Sequence, residues 1–359
     1  MKKALRAVLK AVLIILIIFV LGFAVFATWL TVTEFNPAPI ETLEVNGSAA
    51  NDNKGRTIKV MTWNIGYGAL GDNADFFMDG GKHVYTASKK RVQTNLYGIT
   101  KTIREVKPDA VFMQEADIDS SRSHHVNEQN FIESNTRGYC YTYARNYKVA
   151  YIPYPIPPLG KMDAGILTLS RLQIDNPTRV SLPCPFKWPV RLGNLKRCIS
   201  INKASVNGGT DNLSLVNLHL EAYDNGEGKA AQTAFLKQKL DEEYSSGNYV
   251  IAGGDFNQSF STADTSMYPT LSDRWHCGEL DCSAFSDHWQ FAMDTSTPSC
   301  RSLDQPYSTA KDKSAQKFQY YMIDGFIVSD NLTIKKIETL DLGFKNSDHN
   351  PVVITLKIK

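Results

Sequence analysis

Six short apolar segments of this chain each run directly into polar side chains. The segments have the length and composition of β-strands, and helical periodicity lies between several of them. In α/β folds, loops at strand ends collect functional side chains, because rigid strands hold those side chains in fixed relative positions. We therefore expect one convergent site. The six endings are Trp63-Asn64, Gln114-Glu115, His219-Leu220-Glu221, Gly253 to Asn257, Asp324-Gly325 and Ser347-Asp348-His349.

The segments around these endings predict a single mixed α/β domain. Apolar residues recur at helical spacing from Thr86 to Val106, with Thr86 or Ser88 available as N-cap and Pro108 as a stop. A second helix is predicted over about residues 227–244. The predicted strands cover residues 58–63, 110–113, 213–220, 249–253, 325–329 and 351–358.

The N-terminus carries a different signal, an uncharged apolar run from Ala11 to Leu30. A run of this length, at about 1.5 Å rise per residue, spans a hydrocarbon core of about 30 Å. Basic residues precede the run, so the positive-inside rule places the N-terminus in the cytoplasm and the rest of the chain outside. A cleaved signal peptide is the alternative, although its apolar region usually has only about 7–15 residues.

These signals predict a single-pass protein of the cell membrane with four parts. Proline, glycine and polar residues after the apolar run are typical of a linker. The predicted parts are a cytoplasmic basic tail (1–10), a transmembrane signal anchor (11–31), a linker (32–56) and an extracytoplasmic domain (57–359).

The charge balance excludes a broadly basic surface. The chain has 39 Lys and Arg against 37 Asp and Glu, but four of the basic residues lie within the first ten positions. The rest of the chain therefore carries 35 basic against 37 acidic residues. A protein that holds nucleic acid through general positive charge would show a basic excess. Any phosphate binding must be local.

Taken together, the polar strand endings supply the parts needed for metal-assisted phosphoester hydrolysis. Glu115, Asp348 and Asn64 offer hard oxygen ligands that suit Mg²⁺. His219 and His349 can exchange protons near neutral pH, and neutral amides can bind a phosphoryl oxygen. Each residue alone has a structural explanation, such as a turn or a cap, so the inference depends on the whole set.

In their order along the chain, these motifs resemble those of the endonuclease/exonuclease/phosphatase superfamily, the deoxyribonuclease I-like fold, in a membrane-anchored, bacterial-type form. The resemblance extends from about residue 57 to the C-terminus. It implies a four-layer α/β sandwich, in which two packed β-sheets are flanked by helices, here preceded by one N-terminal transmembrane helix. The motifs are TWNIG (62–66), QE (114–115), NLHL (217–220), GGDFNQ (253–258), IDGFIVS (323–329) and SDHNPV (347–352).

The resemblance implies a metal centre and a histidine base. Glu115 would be the principal Mg²⁺ ligand, with Asn64 and Asp348 close to the metal or the phosphate; Mn²⁺ is the alternative ion. His349 would be the general base that activates water, oriented by Asp324. A carboxylate that accepts the imidazole N–H fixes the tautomer and raises the basicity of the ring.

The remaining implied roles concern the phosphate. Asp255 would position the water or a metal-bound oxygen, and Asn257 would donate to a phosphoryl oxygen. His219 would contact the phosphate or act as general acid. Arg122, in the loop after Glu115, is a weaker candidate for substrate binding, with a solvated loop as its alternative interpretation.

Three functions stay open at this point. The first is a phosphodiesterase of the nuclease type that acts on nucleic acid. The second is a hydrolase of lipid head groups, similar to sphingomyelinases or phosphoinositide phosphatases, which the membrane anchor and the apolar stretch YIPYPIPPLGKMDAG (151–165) favour. The third is an inactive binding module on the same fold. In the first two the partner is a phosphoester substrate, and residues 11–31 bind the membrane.

The six cysteines fit an exported domain with disulfides. Cys277, Cys282 and Cys300 are the favoured partners because they cluster in one loop-like stretch. A zinc site that uses His276, Cys277, Cys282 and His288 is a weaker alternative, since its spacing is unlike that of common zinc ligand pairs.

Overall fold

A computed structural model describes residues 2–50, 57–206, 211–224 and 226–359. Its helices are α1 (Lys2–Val32), α2 (Lys89–Val106), α3 (Glu128–Asn135) and α4 (Glu227–Ser245). Its strands are β1 (Ile40–Thr42), β2 (Asn46–Gly47), β3 (Thr57–Asn64), β4 (Ala110–Asp117), β5 (Cys140–Ile152), β6 (Gly160–Ser170), β7 (Ile174–Ser181), β8 (Cys198–Val206), β9 (Asp211–His219), β10 (Tyr249–Asp255), β11 (Gln258–Phe260), β12 (Gly278–Leu280), β13 (Trp289–Ala292), β14 (Cys300–Arg301), β15 (Tyr320–Tyr321), β16 (Asp324–Ser329), β17 (Leu332–Thr339) and β18 (Val352–Ile358).

Most strands belong to two seven-stranded mixed sheets. The first has the order β1-β7-β8-β9-β10-β16-β13, and the second has the order β17-β18-β3-β4-β6-β5-β2. Each sheet contains one parallel pair, β9 with β10 and β3 with β4. The chain passes between the strands of these pairs through α4 and α2, because parallel neighbours need a crossover connection.

The two sheets pack face to face and the helices cover their outer faces. The core between the sheets contains Ile58, Phe112, Leu215, Ile251 and Phe326. Helix α2 contributes apolar side chains to the outer core of the second sheet, and α4 does so for the first. These layers confirm the predicted four-layer sandwich with a long apolar N-terminal helix.

The side chains between the sheets change from apolar to polar toward one end. Because side chains alternate along a strand, Ile58 and Thr62 of β3 point to the same face. A layer of buried amides lies at the transition, where Gln114 Nε2 donates to Asn217 Oδ1 at 2.8 Å and to the Thr62 hydroxyl at 3.2 Å. The layer joins the two sheets and separates the apolar core from the strand endings.

The predicted helices form within a few residues of their expected bounds. Helix α2 begins at Lys89 because Ser88 is its N-cap and accepts the Arg91 N–H at 3.3 Å. It ends at Val106, where Lys107 takes a left-handed conformation before Pro108. Helix α4 begins at the expected residue and extends one residue further than predicted.

Helix α1 is long and apolar enough to cross a membrane, and none of its residues is buried. By length and composition it fits a signal anchor or a signal peptide. Part of the segment predicted as a linker lies in the sheets, since β1 pairs with β7 and β2 pairs with β5. Residues 51–56 of that segment lie outside the described residues.

All six cysteines have free thiols, so the expected disulfides are wrong for this structure. Cys300 instead forms an isolated β-bridge with His349. The zinc alternative is not supported either, because the described residues that cluster as metal ligands include none of its four members. His288, for example, stacks on Tyr244 and lies 3.3 Å from an Asp330 oxygen.

Candidate active site

The predicted site residues meet at the polar end of the inter-sheet layer, around a cavity of about 590 Å³. Asp324 does not line the cavity because it lies behind His349. The predicted residues on the cavity wall are Asn64, Glu115, Arg122, His219, Asp255, Asn257, Asp348 and His349. Motifs far apart along the chain thus contribute to one concave site.

His349 and Asp324 form a buried hydrogen-bonded pair. His349 Nδ1 lies 2.8 Å from Asp324 Oδ2, and the Ser299 hydroxyl donates to the same oxygen at 2.7 Å. The Trp63 indole N–H donates to the His349 carbonyl at 2.9 Å. Burial disfavours the imidazolium, but the Asp324 carboxylate together with Cys300 outweighs burial and holds the pKa of His349 well above its ordinary value. The pair leaves His349 Nε2 as the nitrogen available to a ligand.

Asp255, at the end of β10, lies between the two histidines. Its Oδ2 is 3.5 Å from His219 Nε2 and 3.8 Å from His349 Nε2. The same oxygen accepts the Asn64 amide at 3.0 Å, and Oδ1 accepts the Asn257 N–H at 2.9 Å. Burial, reinforced by the nearby Asp324 charge, raises the pKa of Asp255 to about 7. Asp255 can therefore hold or release a proton near neutral pH.

Glu115 lies at an irregularity in β4. The pairing of β4 with β6 shifts register between Met113 and Ala116, and Glu115 has a φ of 55°. A left-handed φ is costly for such a residue and is found where a bulge re-aims a functional side chain. Asn64 Nδ2 donates to Glu115 Oε1 at 3.2 Å, while the Asn64 oxygen accepts the Gly66 N–H. In this orientation Asn64 positions carboxylates, and a metal contact requires its amide to turn.

Asp255 lies near two histidines, whereas Glu115 and Asp348 form no ion pair with a basic side chain among the described residues. Burial raises the pKa of Asp348 to about 6; the His349 charge acts against this rise and the Glu115 charge adds to it. Three arginines of the wall bind other carboxylates, namely Arg122 with Asp117 at 2.9 Å, Arg197 with Glu221 at 3.2 Å and Arg274 with Asp304 at 2.9 Å, and Arg301 donates to backbone carbonyls. Buried carboxylates without compensation are unfavourable, so this donor set fits a divalent cation with oxygen ligands.

Two groups of side chains hold their ligand atoms within 4.8 Å of one another. One consists of Asp255, Asp324 and His349, and the other of Cys300, Asp348 and His349. Glu115, the predicted principal ligand, belongs to neither group and lies beside Asn64 instead.

His219 and Asn257 complete the lining of the cavity. His219 is buried at the end of β9, and no hydrogen-bond partner of its Nδ1 lies among the described residues. Burial, then the Arg197 and His349 charges, lower the pKa of His219 well below its ordinary value, so its imidazole is neutral. Asn257 Nδ2 donates to the Leu220 carbonyl at 2.9 Å, which leaves its second N–H for a ligand.

Arg122 is not part of a solvated loop, contrary to the alternative interpretation. Its guanidinium makes two hydrogen bonds to Asp117, at 3.1 and 2.9 Å, and lies 3.8 Å from the centre of the Tyr67 ring. The Tyr67 hydroxyl is buried without a partner among the described residues and lines the same cavity. The Arg122–Tyr67 pair thus presents a fixed cation and a free hydroxyl.

Several residues of the site are absent from the sequence prediction. Arg197 pairs with Glu221 and donates to the His219 carbonyl at 3.2 Å, so it supports the end of β9. Ser299 ends an irregular stretch and Cys300 begins the short strand β14, and no motif marks either residue. Tyr67 carries the clearest missed signal, because it directly follows the TWNIG motif.

The model of the Endonuclease/Exonuclease/phosphatase family matches residues 61–349 of the chain. No curated protein matches this chain. Among solved structures, an endonuclease/exonuclease/phosphatase from Beutenbergia cavernae DSM 12333 is 18% identical with a TM-score of 0.57, over 84% of this chain and 72% of that chain.

Two further structures show the same fold. An endonuclease/exonuclease/phosphatase from Bacteroides vulgatus is 15% identical with a TM-score of 0.54, over 84% of this chain and 99% of that chain. The human Nocturnin catalytic domain, solved with a bound sulfate anion, is 16% identical with a TM-score of 0.52, over 88% of this chain and 98% of that chain. At these identities the similarity is one of fold.

Proposed function

The chain belongs to the endonuclease/exonuclease/phosphatase family, and from this premise we propose that it is a metal-dependent phosphoester hydrolase. The observation that carries the proposal is the His349–Asp324 pair, which shares one cavity with Asp255, Glu115 and Asp348. A base, a proton-holding carboxylate and a set of uncompensated oxygen ligands are the parts that hydrolysis of a phosphoester requires.

His349 acts as the general base. Asp324 fixes the ring through Nδ1, and Ser299 holds the Asp324 carboxylate in place, so Nε2 takes the proton of the attacking water. Asp255, 3.8 Å from that nitrogen, orients the water between the two side chains. The high basicity that Asp324 gives to His349 favours the proton transfer.

The part of the cavity lined by His219, Asn257 and Arg122 binds the phosphate. His219 is neutral because its pKa is lowered, which favours donation of an N–H to a phosphoryl oxygen over a role as general acid. The free N–H of Asn257 and the Arg122 guanidinium serve the remaining oxygens. Donors fixed in this way stabilise the charge that develops in the transition state.

Glu115 and Asp348 would hold the metal ion, with Asn64 beside them. Bound there, Mg²⁺ supplies positive charge that stabilises the phosphoryl oxygens, and Mn²⁺ is the alternative ion. Both carboxylates reach the cavity, and within the described ranges neither forms an ion pair with a basic side chain, which supports this assignment.

A phosphodiester is the proposed substrate, and nucleic acid and lipid head groups are its two candidate sources. The lack of a basic excess disfavours nucleic acid. The lining of the cavity favours lipid, because part of it is apolar and includes Phe76, Phe77, Ile152 and Leu159. We also propose that α1 is not cleaved and acts as a signal anchor. Residues 57–359 then form a catalytic domain on the extracytoplasmic side of the cell membrane.

Hydrolysis by the full chain in detergent tests the proposal. Bis-p-nitrophenyl phosphate, plasmid DNA and a panel of phospholipids would each be assayed with Mg²⁺, with Mn²⁺ and with EDTA. We expect metal-dependent turnover that His349→Ala abolishes and that His288→Ala, at a partly exposed surface histidine, leaves intact. Folded protein without turnover on any substrate would contradict the proposal and favour the inactive binding module.

A further inference from the structure

The last turns of α1 pack against the domain beside the catalytic cavity. Phe26, Ala27 and Leu30 are partly buried, whereas the preceding residues of α1 are exposed. Leu30 packs against a small apolar cluster that contains Tyr147 and Met162. The end of the candidate membrane helix is therefore fixed on one face of the domain.

Polar contacts hold the same junction. The Trp188 indole N–H donates to the Thr31 hydroxyl at 3.1 Å, and Glu34 pairs with Arg191 at 3.2 Å and with Lys196 at 3.0 Å. All three partners lie in the stretch 187–196, which runs next to the exit of α1. These contacts place that stretch at the depth where the apolar run of the helix ends.

Two loops at this junction expose large apolar side chains. Loop 151–159, which includes the last two residues of β5, presents Tyr154 and Ile156, which are 70% and 95% exposed. Loop 187–190 presents Trp188 and Val190, which are 55% and 59% exposed. Among the described residues outside α1, half of the exposed large apolar side chains belong to these loops. Trp29, near the end of α1, is also exposed, at 43%. Exposed aromatic and aliphatic side chains of this kind are typical of a membrane interface.

The charges around the loops suit a lipid surface. Residues 151–159 contain no charged side chain. The stretch 182–197 contains four basic residues and no acidic one, but Arg191 and Lys196 pair with Glu34 and Arg197 pairs with Glu221, which leaves Lys187 as the basic residue beside Trp188. Uncharged apolar tips of this kind can insert into the interface without desolvating a charge.

The cluster that receives Leu30 also forms the apolar wall of the catalytic cavity. Six of its members line the cavity: Tyr147, Ile152, Leu159, Met162, Ala164 and Leu195. Tyr154 lines it as well, and its ring centre is 6.3 Å from that of Phe77 on the same wall. The apolar side of the cavity and the exit of α1 are therefore continuous.

We propose that loops 151–159 and 187–190 dock into the outer leaflet of the bilayer that α1 crosses, and that the apolar side of the cavity opens at this lipid surface. The proposal goes beyond an anchor, because it fixes which face of the domain meets the membrane. It also selects an amphiphilic phosphoester, taken from the leaflet, as substrate, and this consequence alone rests on the proposed function.

The docking is tested by the depth of a fluorophore. The full chain with Cys184→Ser, which removes the exposed thiol, would carry Ile156→Cys labelled with an environment-sensitive dye in vesicles of phosphatidylcholine and phosphatidylglycerol. The matched control is Lys336→Cys, an exposed position on β17, five strands from β5 and so about 24 Å away. The background variant without an added cysteine corrects for labelling of Cys277.

We expect lipid-borne nitroxide to quench the label at position 156 several-fold more strongly than the label at 336, and iodide in water to show the reverse order. Equal quenching of the two labels by iodide would overturn the proposal. Both readings are independent of catalysis, so they remain valid if the protein hydrolyses nothing.

The consequence for the substrate is tested with Ile156→Asp and Val190→Asp, at positions that do not line the cavity. We expect hydrolysis of vesicle lipid to fall several-fold while hydrolysis of bis-p-nitrophenyl phosphate stays unchanged. Unchanged lipid hydrolysis would overturn the substrate class, whereas inactivity of the parent chain on the soluble ester would count against the proposed function.

Discussion

The two ends of the layer between the sheets are built from the same strands but differ in almost every physical respect. At one end, Ile251 and Phe326 pack in a buried apolar cluster. At the other end, Asp255 of β10 and Asp324 of β16 face each other as register partners and bear buried charge. Burial of apolar surface stabilises the fold, whereas burial of carboxylates opposes it. One half of each strand therefore stabilises the fold, and the other half holds polar site residues at a cost in stability.

The largest effect is expected from His349→Ala. The variant removes the base while the carboxylate and the amide layer stay in place, so we expect kcat to fall by about 10²–10⁴-fold. The thermal midpoint should change less than for a core truncation, because the Ser299 hydroxyl still donates to the Asp324 carboxylate. Steady-state kinetics and thermal unfolding of the same sample check both statements. A large loss of stability would show that the polar end also supports the fold.

Phe326→Ala tests the opposite end. The truncated ring leaves a cavity between the sheets, and we expect the free energy of unfolding to fall by about 3–5 kcal/mol. Activity per folded molecule should be retained, since Phe326 does not line the cavity. Denaturant unfolding together with an active-fraction assay measures the two quantities. Phe326→Leu, which keeps most of the volume, should cost clearly less.

Asp324→Asn sharpens the comparison through pH. Burial lowers the pKa of His349 and the Asp324 carboxylate raises it, so loss of that charge lowers the pKa. We expect a lower maximal rate, by about tenfold or more, and an acidic limb of the pH–rate profile that moves to lower pH. Asp330→Asn, beside His288 on the surface, is the control. An acidic limb that does not move would show that the Asp324 charge does not set the pKa of the catalytic base.

The smallest expected effect is a change of stability in Asp255→Asn. The variant should be more stable than the parent, whereas Phe326→Ala is less stable. Burial raises the pKa of Asp255 to about 7, so the folded state binds more protons than the unfolded state between about pH 4 and 7, and its stability falls as pH rises through that range. In EDTA, we expect the variant to unfold a few degrees higher than the parent at pH 8 and by a smaller margin at pH 5. Thermal scans at both pH values decide this, and a lower midpoint at pH 8 would contradict it.

Much of this architecture could be predicted because it depends on periodic patterns. Apolar strands that end in polar residues place Asn64, His219 and Asp255 at one end of the sheets, whatever the details of packing. The capped helix at Ser88 follows equally from local sequence. The sandwich itself was reached through the resemblance of the ordered motifs, since periodicity alone does not specify how sheets stack.

The rest depends on tertiary contacts that have no local signature. The register shift that accompanies the left-handed Glu115 arises from the pairing of β4 with β6. Ser299 reaches Asp324 from a stretch without regular structure, so its spacing along the chain carries no information. Short edge strands such as β1 and β2 contain too few residues to show a period, and the sequence there resembles a linker.

The short connection between α1 and the sheets has a consequence for how substrates are met. Residues 33–39 separate the helix from β1, and seven residues reach at most about 25 Å even when fully extended. With α1 as an anchor, the catalytic cavity is confined to a thin layer above the bilayer. Encounter with membrane-borne molecules then becomes a two-dimensional search governed by lateral diffusion, and bulky polymers in solution must approach a crowded surface to compete.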